Sequence, residues 1–245
     1  MASVTDRQWK KWAEHNPYYG ILGFDTAAIQ QGGNLEAFQR SGEEHVAHTL
    51  DNVARLFPGW KPKGVALDFG CGAARLSLPL ANYFEKVIGV DVAENMLVLA
   101  RKHAKETSNV SFVRTIAQAA EIDGGFDFLN SSIVLQHIRP AQGLELIGQM
   151  VQLLRPGGAF ALHVLLADTR MARRILNYAR YRLPPLHWAY NLSKGRPWNE
   201  PITEMNPYPI WKLLRLFADS VPEVVMSPFN QGGYGGCIVH GRKPG

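Results

Sequence analysis

Between Gly64 and Ala167 five strongly apolar stretches, "GVALDF", "KVIGVD", "VSFVR", "FDFLNSSIV" and "GAFALHVLLA", follow one another with polar or amphipathic segments between them. Two of the intervening segments, "AENMLVLARKHAKE" and "AQGLELIGQMVQLL", repeat their apolar residues at three- and four-residue spacing and read as helices. Strands that are apolar along almost their whole length leave no face for water, so they imply a parallel sheet covered by helices on both sides, with right-handed crossovers. Near the end of the chain "PEVVMSPFN" and "GCIVHGRK" flank the glycine turn "QGGYGG" and read as an antiparallel hairpin that closes one sheet edge. The expected class is therefore α/β, with a doubly wound, mostly parallel sheet and a C-terminal antiparallel hairpin.

The length of 245 residues suits one generous domain. Residues 1–62 are expected to form an N-terminal helical cap, in which Val46, Leu50, Val53 and Leu56 mark a helix from about Gly42 to Phe57, stopped by Pro58 and Gly59. Residues 63–168 form the core. Residues 169–206 interrupt the strand and helix order as a helical lid, with a helix over "DTRMARRILNYARYRL" and then a proline-punctuated loop, "PPLHWAYNLSKGRPWNEPITEMNPYP". Residues 207–245 complete the sheet.

The stretch "VALDFGCGAARLSLPLA" is a buried strand, a glycine turn and a helix start. Such a turn lets a ligand approach the main chain and presents backbone N–H groups to it. The dinucleotide fingerprint would need a third glycine at position 75, where Arg75 stands. Asp68, two residues before Gly70, would repel a pyrophosphate but suits a ligand with a cationic amino or sulfonium group. Asp91, nineteen residues beyond Gly72 and ending "VIGVD", can accept hydrogen bonds from both hydroxyls of a ribose. Together these features point to adenosine without pyrophosphate.

On these residues the chain resembles the class I S-adenosylmethionine-dependent methyltransferases, of bacterial small-molecule or cell-envelope type. The resemblance rests on "ALDFGCGAARL", "VIGVDVAENMLVLAR", "FDFLNSSIVLQHI" and "LLRPGGAFAL", in that order, over about Gly64 to Leu166. It implies a Rossmann-like fold, an enzyme and S-adenosyl-L-methionine as cofactor. By the same resemblance Asp68, Gly70, Cys71 and Gly72 line the methionine part, Asp91 the ribose, Val92 and Met96 the adenine face, and Asn130 and Ser131 the methionine moiety near the methyl group. Tyr18, Tyr19 and Arg40, in "NPYYGILGF" and "FQRSGEEHV", are implied to fold over the cofactor, Arg40 pairing with its carboxylate. Two positions depart from the family. Ala74 replaces a glycine, and "FVRTIAQAAE" has Ile116 and Ala117 where an acidic residue reads the adenine amino group, leaving that role to the side-chain oxygen of Gln118.

Methyl transfer is an in-line displacement, so the protein chiefly positions the acceptor, and it needs a base only for a nucleophile that holds its proton. His137, just past the fourth strand at the carboxyl end of the sheet, is the expected base for a hydroxyl acceptor, the alternative being a histidine that packs at the next helix start. His163 is a second candidate whose apolar neighbours favour a core role. Asp168 stands without the clustered carboxylates a metal-dependent mechanism needs, so no metal is expected. A small-molecule or glycan-like acceptor methylated at oxygen is the leading expectation. N-methylation of an amine or phospholipid headgroup, or a non-catalytic nucleotide-binding module, are the alternatives.

Seven of the 26 Lys and Arg residues lie between Thr169 and Asn199, where there is no Asp or Glu, which leaves 19 basic against 21 acidic residues elsewhere. Arg170, Arg173, Arg174 and Arg180 fall on one side of the lid helix, with Ala172, Ile175, Leu176, Ala179 and Leu183 on the other. These arginines, with Trp188, Tyr190 and Trp198, suit a phosphate, carboxylate or ring of the acceptor, a solvated basic face, or peripheral contact of residues 169–198 with anionic lipid. Nucleic acid is not expected, because no second basic patch accompanies the segment. The two cysteines, Cys71 and Cys237, give neither a disulfide framework nor metal spacing, and the N-terminus lacks an apolar signal core, so a cytoplasmic location is expected.

Overall fold

The computed structural model describes residues 35–168, 170–200, 204–218, 220–231 and 233–245. The elements follow one another as α1 (Leu35–Leu56), β1 (Val65–Phe69), α2 (Ser77–Leu80), β2 (Lys86–Val90), α3 (Glu94–His103), β3 (Val110–Val113), α4 (Ile116–Ile122), β4 (Phe126–Ser131), a 3-10 turn (Leu135–His137), α5 (Pro140–Gln152), β5 (Leu154–Asp168), α6 (Met171–Arg182), α7 (Pro184–Ser193), α8 (Ile210–Ala218), β6 (Glu223–Gln231) and β7 (Tyr234–Arg242). The seven strands form one sheet in the order β3-β2-β1-β4-β5-β7-β6. β1 to β5 run parallel, while β7 is antiparallel to both β5 and β6. This is the doubly wound sheet with its terminal hairpin that the strand pattern predicts.

β1 lies at the point where the chain order reverses, with Leu67 beside Ile88 of β2 on one side and Leu129 of β4 on the other. Successive side chains of a strand point to opposite faces, and both faces are apolar here. Leu67, Ile88, Leu129 and Phe160 pack with Ile147 and Met150 of α5 and Leu213 and Phe217 of α8. Ala66, Val87, Phe128 and Ala161 pack with Val46, Leu50 and Val53 of α1 and Leu80 of α2.

Three elements differ from the sequence reading. α1 begins at Leu35, about two turns before the expected start, because Phe38 and Gly42 continue its buried stripe. Residues Pro184–Ser193, expected as loop, are helical. Pro184 and Pro185 sit in the first turn, where a proline N–H is not needed, so they open the helix and do not break it. α4 is a further helix, started by Thr115, whose hydroxyl accepts from the Gln118 N–H at 3.2 Å.

α1 lies close on the turn after β1: a Cβ on Gly42 would stand 2.1 Å from the Arg75 carbonyl oxygen. Replacing Gly42 by alanine therefore forces α1 off that turn. Urea unfolding of the Gly42→Ala protein is expected to show a loss of about 1–3 kcal/mol, despite alanine's better helix propensity.

Candidate active site

The turn after β1 is built by backbone conformations that side chains disfavour. Gly70, Gly72 and Ala74 have φ of 78°, 54° and 68°. A Cβ on Gly70 would lie 2.2 Å from a methyl group of Val134, so β4's outgoing loop also requires glycine there. Ala74 holds the left-handed conformation at a cost of about 1 kcal/mol, which is the physical sense of the glycine it replaces. The turn is tied to β2: the N–H groups of Gly70 and Cys71 donate to the Val90 carbonyl at 2.7 and 3.0 Å. Gly72 N–H donates to one oxygen of Asp91 at 3.0 Å, and Ala93 N–H to the other at 2.9 Å. These donors lock the turn, so it offers its glycine surface to a ligand more than its N–H groups. Asp91 is half-buried, and that burial pushes its carboxyl up to about 6 against the pull of its two backbone donors.

Asp68 is buried at 2% exposure and faces Asn130 across the β1–β4 pair. Ser77 Oγ donates to its Oδ2 at 2.6 Å, and Asn130 Nδ2 donates to its Oδ1 at 2.9 Å. Burial raises the Asp68 pKa while the Ser77 and Asn130 bonds and the nearby Arg75 charge oppose that rise. Arg75 is itself buried and donates to the Ser41 carbonyl of α1 at 3.3 Å. Ser77 is a site residue that the sequence reading passes over. Its signal was its place at the first position of the helix following the glycine turn. Beside this network Ser131 is fully buried, and its hydroxyl has no hydrogen-bond partner among the described residues.

Beyond β4 the chain turns sharply at Ile133, a β-branched residue at φ 62°, which is backbone strain at the rim of the site. The following 3-10 turn is pinned by residues 206–208. Asn206 N–H donates to the Gln136 carbonyl at 2.7 Å, and the Tyr208 hydroxyl donates to the Leu135 carbonyl at 2.9 Å. His137 is buried here: its Nδ1 donates to the Glu204 carbonyl at 2.8 Å, and its Nε2 lies 3.2 Å from the Gln136 amide nitrogen. A carbonyl can only accept, so Nδ1 carries the proton and Nε2 the lone pair. Burial lowers the His137 pKa to about 4, with the Glu204 contacts opposing, so its ring is neutral at physiological pH. His163, on β5, stacks on Phe229 with ring centroids 4.4 Å apart.

The remaining predicted residues are dispersed around this centre. Met96 is buried with Phe38, Ala73 and Ala93, and Val92 is half-buried next to Asp91. Ala117 and Gln118 are exposed on α4. The Gln118 side-chain oxygen accepts from the Arg114 N–H at 3.0 Å, so capping its own helix competes with any contact to an adenine. Arg40 is exposed on α1, while Tyr18 and Tyr19 lie outside the described residues. Arg180 does not stand with a free basic face, since its guanidinium lies 3.6 Å over the Tyr190 ring and donates to His187 Nδ1 at 3.1 Å. Among the described residues no group of three His, Cys, Asp or Glu could hold a metal ion.

A methyltransferase-domain family model matches residues 66–158, the span that holds Asp68, the glycine turn, Asp91 and the β4 rim. Over that span the chain is similar to a methyltransferase domain. Among curated relatives it is 37% identical over 94 residues to the ubiquinone biosynthesis O-methyltransferase of Ruegeria pomeroyi, a match covering 38% of this chain and 37% of that one. It is 27% identical over 155 residues to an uncharacterized methyltransferase of Synechocystis, covering 63% and 66% of the two chains. The aligned part thus spans two thirds or less of these relatives' length. The fold is that of the N-methyltransferase NodS from Bradyrhizobium japonicum in complex with S-adenosyl-L-homocysteine, at a TM-score of 0.60 and 16% identity, covering 99% of this chain and 100% of that one. The matched span therefore contains the glycine turn, while α6, α7 and the β6–β7 hairpin lie outside it.

Burial depresses His45, His137 and His163 alike, each to about 4 from an ordinary value of 6.5. A histidine that must stay neutral to remain folded contributes its full stability above 6.5 and loses it as the pH falls toward 4. Asp91, raised to about 6, works the other way because the folded state holds its proton more tightly. Asp68, also raised by burial, acts in the same sense as Asp91, but among the described residues five histidines, with His187 and His240, are lowered against these two carboxyls. Urea midpoints are therefore expected to fall steadily as the pH is lowered from 6.5 to 4.5, and the fall is expected to be shallower in the His163→Gln protein.

Proposed function

We propose that this chain binds S-adenosyl-L-methionine and moves its methyl group to an oxygen of a small-molecule acceptor. The observation that carries the reading is the pair of carboxylates that frame the glycine turn, Asp68 buried beneath it and Asp91 clasped at its edge. Asp68 lends negative potential to a cationic ligand group, and Asp91 has lone pairs left for ribose hydroxyls after it has accepted from Gly72 and Ala93. When bound, the cofactor supplies an electrophilic methyl carbon on a sulfonium. The residues of this chain orient the acceptor, exclude water and take up a proton.

His137 is the proposed base, acting through Nε2. The Glu204 carbonyl fixes its tautomer by holding the Nδ1 proton, in the way a third group orients the imidazole of a catalytic pair. The neutral ring is ready to accept at physiological pH, and an acceptor hydroxyl would displace the Gln136 amide from Nε2. The likeness to an enzyme named for O-methylation supports oxygen as the accepting atom.

Calorimetric titration with S-adenosyl-L-homocysteine tests the cofactor half: saturable binding is expected, weakened about tenfold or more in Asp91→Ala, and an absence of heat in the native protein would end the reading. For the base, turnover of hydroxylated acceptors by His137→Ala is expected to drop about 10²–10⁴-fold with product-analogue binding retained. Undiminished turnover would remove His137 from the chemistry and leave it as the anchor of the Glu204–Tyr208 segment.

A further inference from the structure

α6 and α7 form a hairpin that is folded inside out. Its interior is polar: His187 Nε2 donates to the Glu200 carbonyl at 2.7 Å, Asn191 donates to the Trp198 and Glu200 carbonyls at 3.2 and 3.1 Å, and Arg180 closes the group through His187 and Tyr190. Its large apolar side chains face water. Ile175 and Tyr178 of α6 are each 65% exposed, Leu183 between the helices is 56% exposed, and Leu192 and Trp198 are 63% and 54% exposed. The apolar stripe that the sequence assigns to α6 thus finds no core to pack on. Trp211, 59% exposed at the start of α8, adds to the exposed apolar area just after the segment that is pinned to the β4 rim.

The charge around these residues has one sign. Between Thr169 and Asn199 there are seven basic residues and no acidic one. Arg180 is engaged inside the hairpin and Arg196 pairs with Glu200, but Arg182 and Lys194 lie on its exposed surface. Aliphatic and aromatic side chains exposed among cations match a bilayer surface, where apolar groups enter the headgroup boundary and cations meet anionic lipid. A second copy of the chain would bring the same cations against their own kind, and a nucleic acid would leave Ile175, Leu183 and Leu192 without an apolar partner.

We propose that the α6–α7 hairpin docks this protein on anionic lipid bilayers, with Ile175, Tyr178, Leu183 and Leu192 entering the interface and Arg182 and Lys194 meeting the headgroups. The hairpin leaves β5 at the carboxyl end of the sheet, so docking holds the mouth of the candidate site toward the membrane and favours an acceptor that partitions into lipid. The docking itself does not depend on the proposed chemistry.

Co-sedimentation of the full chain with vesicles of mixed phosphatidylglycerol and phosphatidylcholine tests it, beside vesicles of phosphatidylcholine alone. Binding to the anionic vesicles is expected to be about tenfold or more tighter and to weaken with added salt. Leu183→Ser with Leu192→Ser, and separately Arg182→Glu with Lys194→Glu, are each expected to reduce it about tenfold or more, while circular dichroism and S-adenosyl-L-homocysteine binding stay as in the native protein. Absence of binding to anionic vesicles, equal binding to both vesicle types, or native binding by either folded double variant would each overturn the proposal. So would a stable dimer in sedimentation velocity that the leucine double variant dissolves, since the face would then belong to a second copy. The homocysteine titration on the same samples keeps a failure here separate from a failure of the cofactor reading.

Discussion

A carboxylate cut off from water has to be held by donors, and Asp68 is held from two directions, by Ser77 at the start of α2 and by Asn130 near the end of β4. Each bond joins elements that are far apart in the chain, so the first strand, the helix after it and the fourth strand are fixed to one another at a single charged group. A buried polar network of this kind is costly when incomplete and specific when complete. Here both oxygens of the group are satisfied, and the glycine turn that follows Asp68 has no freedom to drift from β4. The turn's other side is tied in the same manner, by the Val90 carbonyl and the Asp91 carboxylate. The turn is thus held in place by the protein's own bonds, which is the condition under which a binding site, as proposed here, loses least on ordering.

The strands were legible because their apolar runs have no other use: all five parallel strands and both strands of the hairpin lie where the pattern puts them, within a few residues at their ends. The glycine turn was legible for a related reason, since glycine two residues after a buried aspartate leaves few readings. What escaped was information carried by partners and not by pattern. Ser77 is an unremarkable serine until the fold brings it to Asp68. α7 was hidden by two prolines that mark a helix start as readily as a loop. Arg170, Arg173, Arg174 and Arg180 looked equivalent in a helical projection, yet Arg180 is drawn into a stack with Tyr190 that a projection does not show. Gln118 was assigned from its residue type, while the local demand of a helix start for a second acceptor competes for the same oxygen.

The two halves of the site are held by different kinds of bond, and this separates what can vary from what cannot. On the side proposed for the cofactor the bonds run through the side chains of Asp68, Ser77, Asn130 and Asp91, so each position admits few residue types. On the side proposed for the acceptor, residues 204–208 are held by both kinds: the Asn206 and Tyr208 N–H groups donate to the Gln136 and Leu165 carbonyls, while the Tyr208 hydroxyl donates to the Leu135 carbonyl and the His137 ring to the Glu204 carbonyl. Any non-proline residue supplies a main-chain donor and acceptor, so position 204 keeps its carbonyl contact through side-chain exchange, whereas Tyr208 and His137 do not. His137 joins the two, with Nδ1 on the Glu204 carbonyl and Nε2 beside the Gln136 amide. In the proposed function, acceptor choice would therefore diverge along 169–208 with Asp68, Asp91 and the glycine turn left in place, and the sequence pattern that points to the cofactor carries much less about the acceptor.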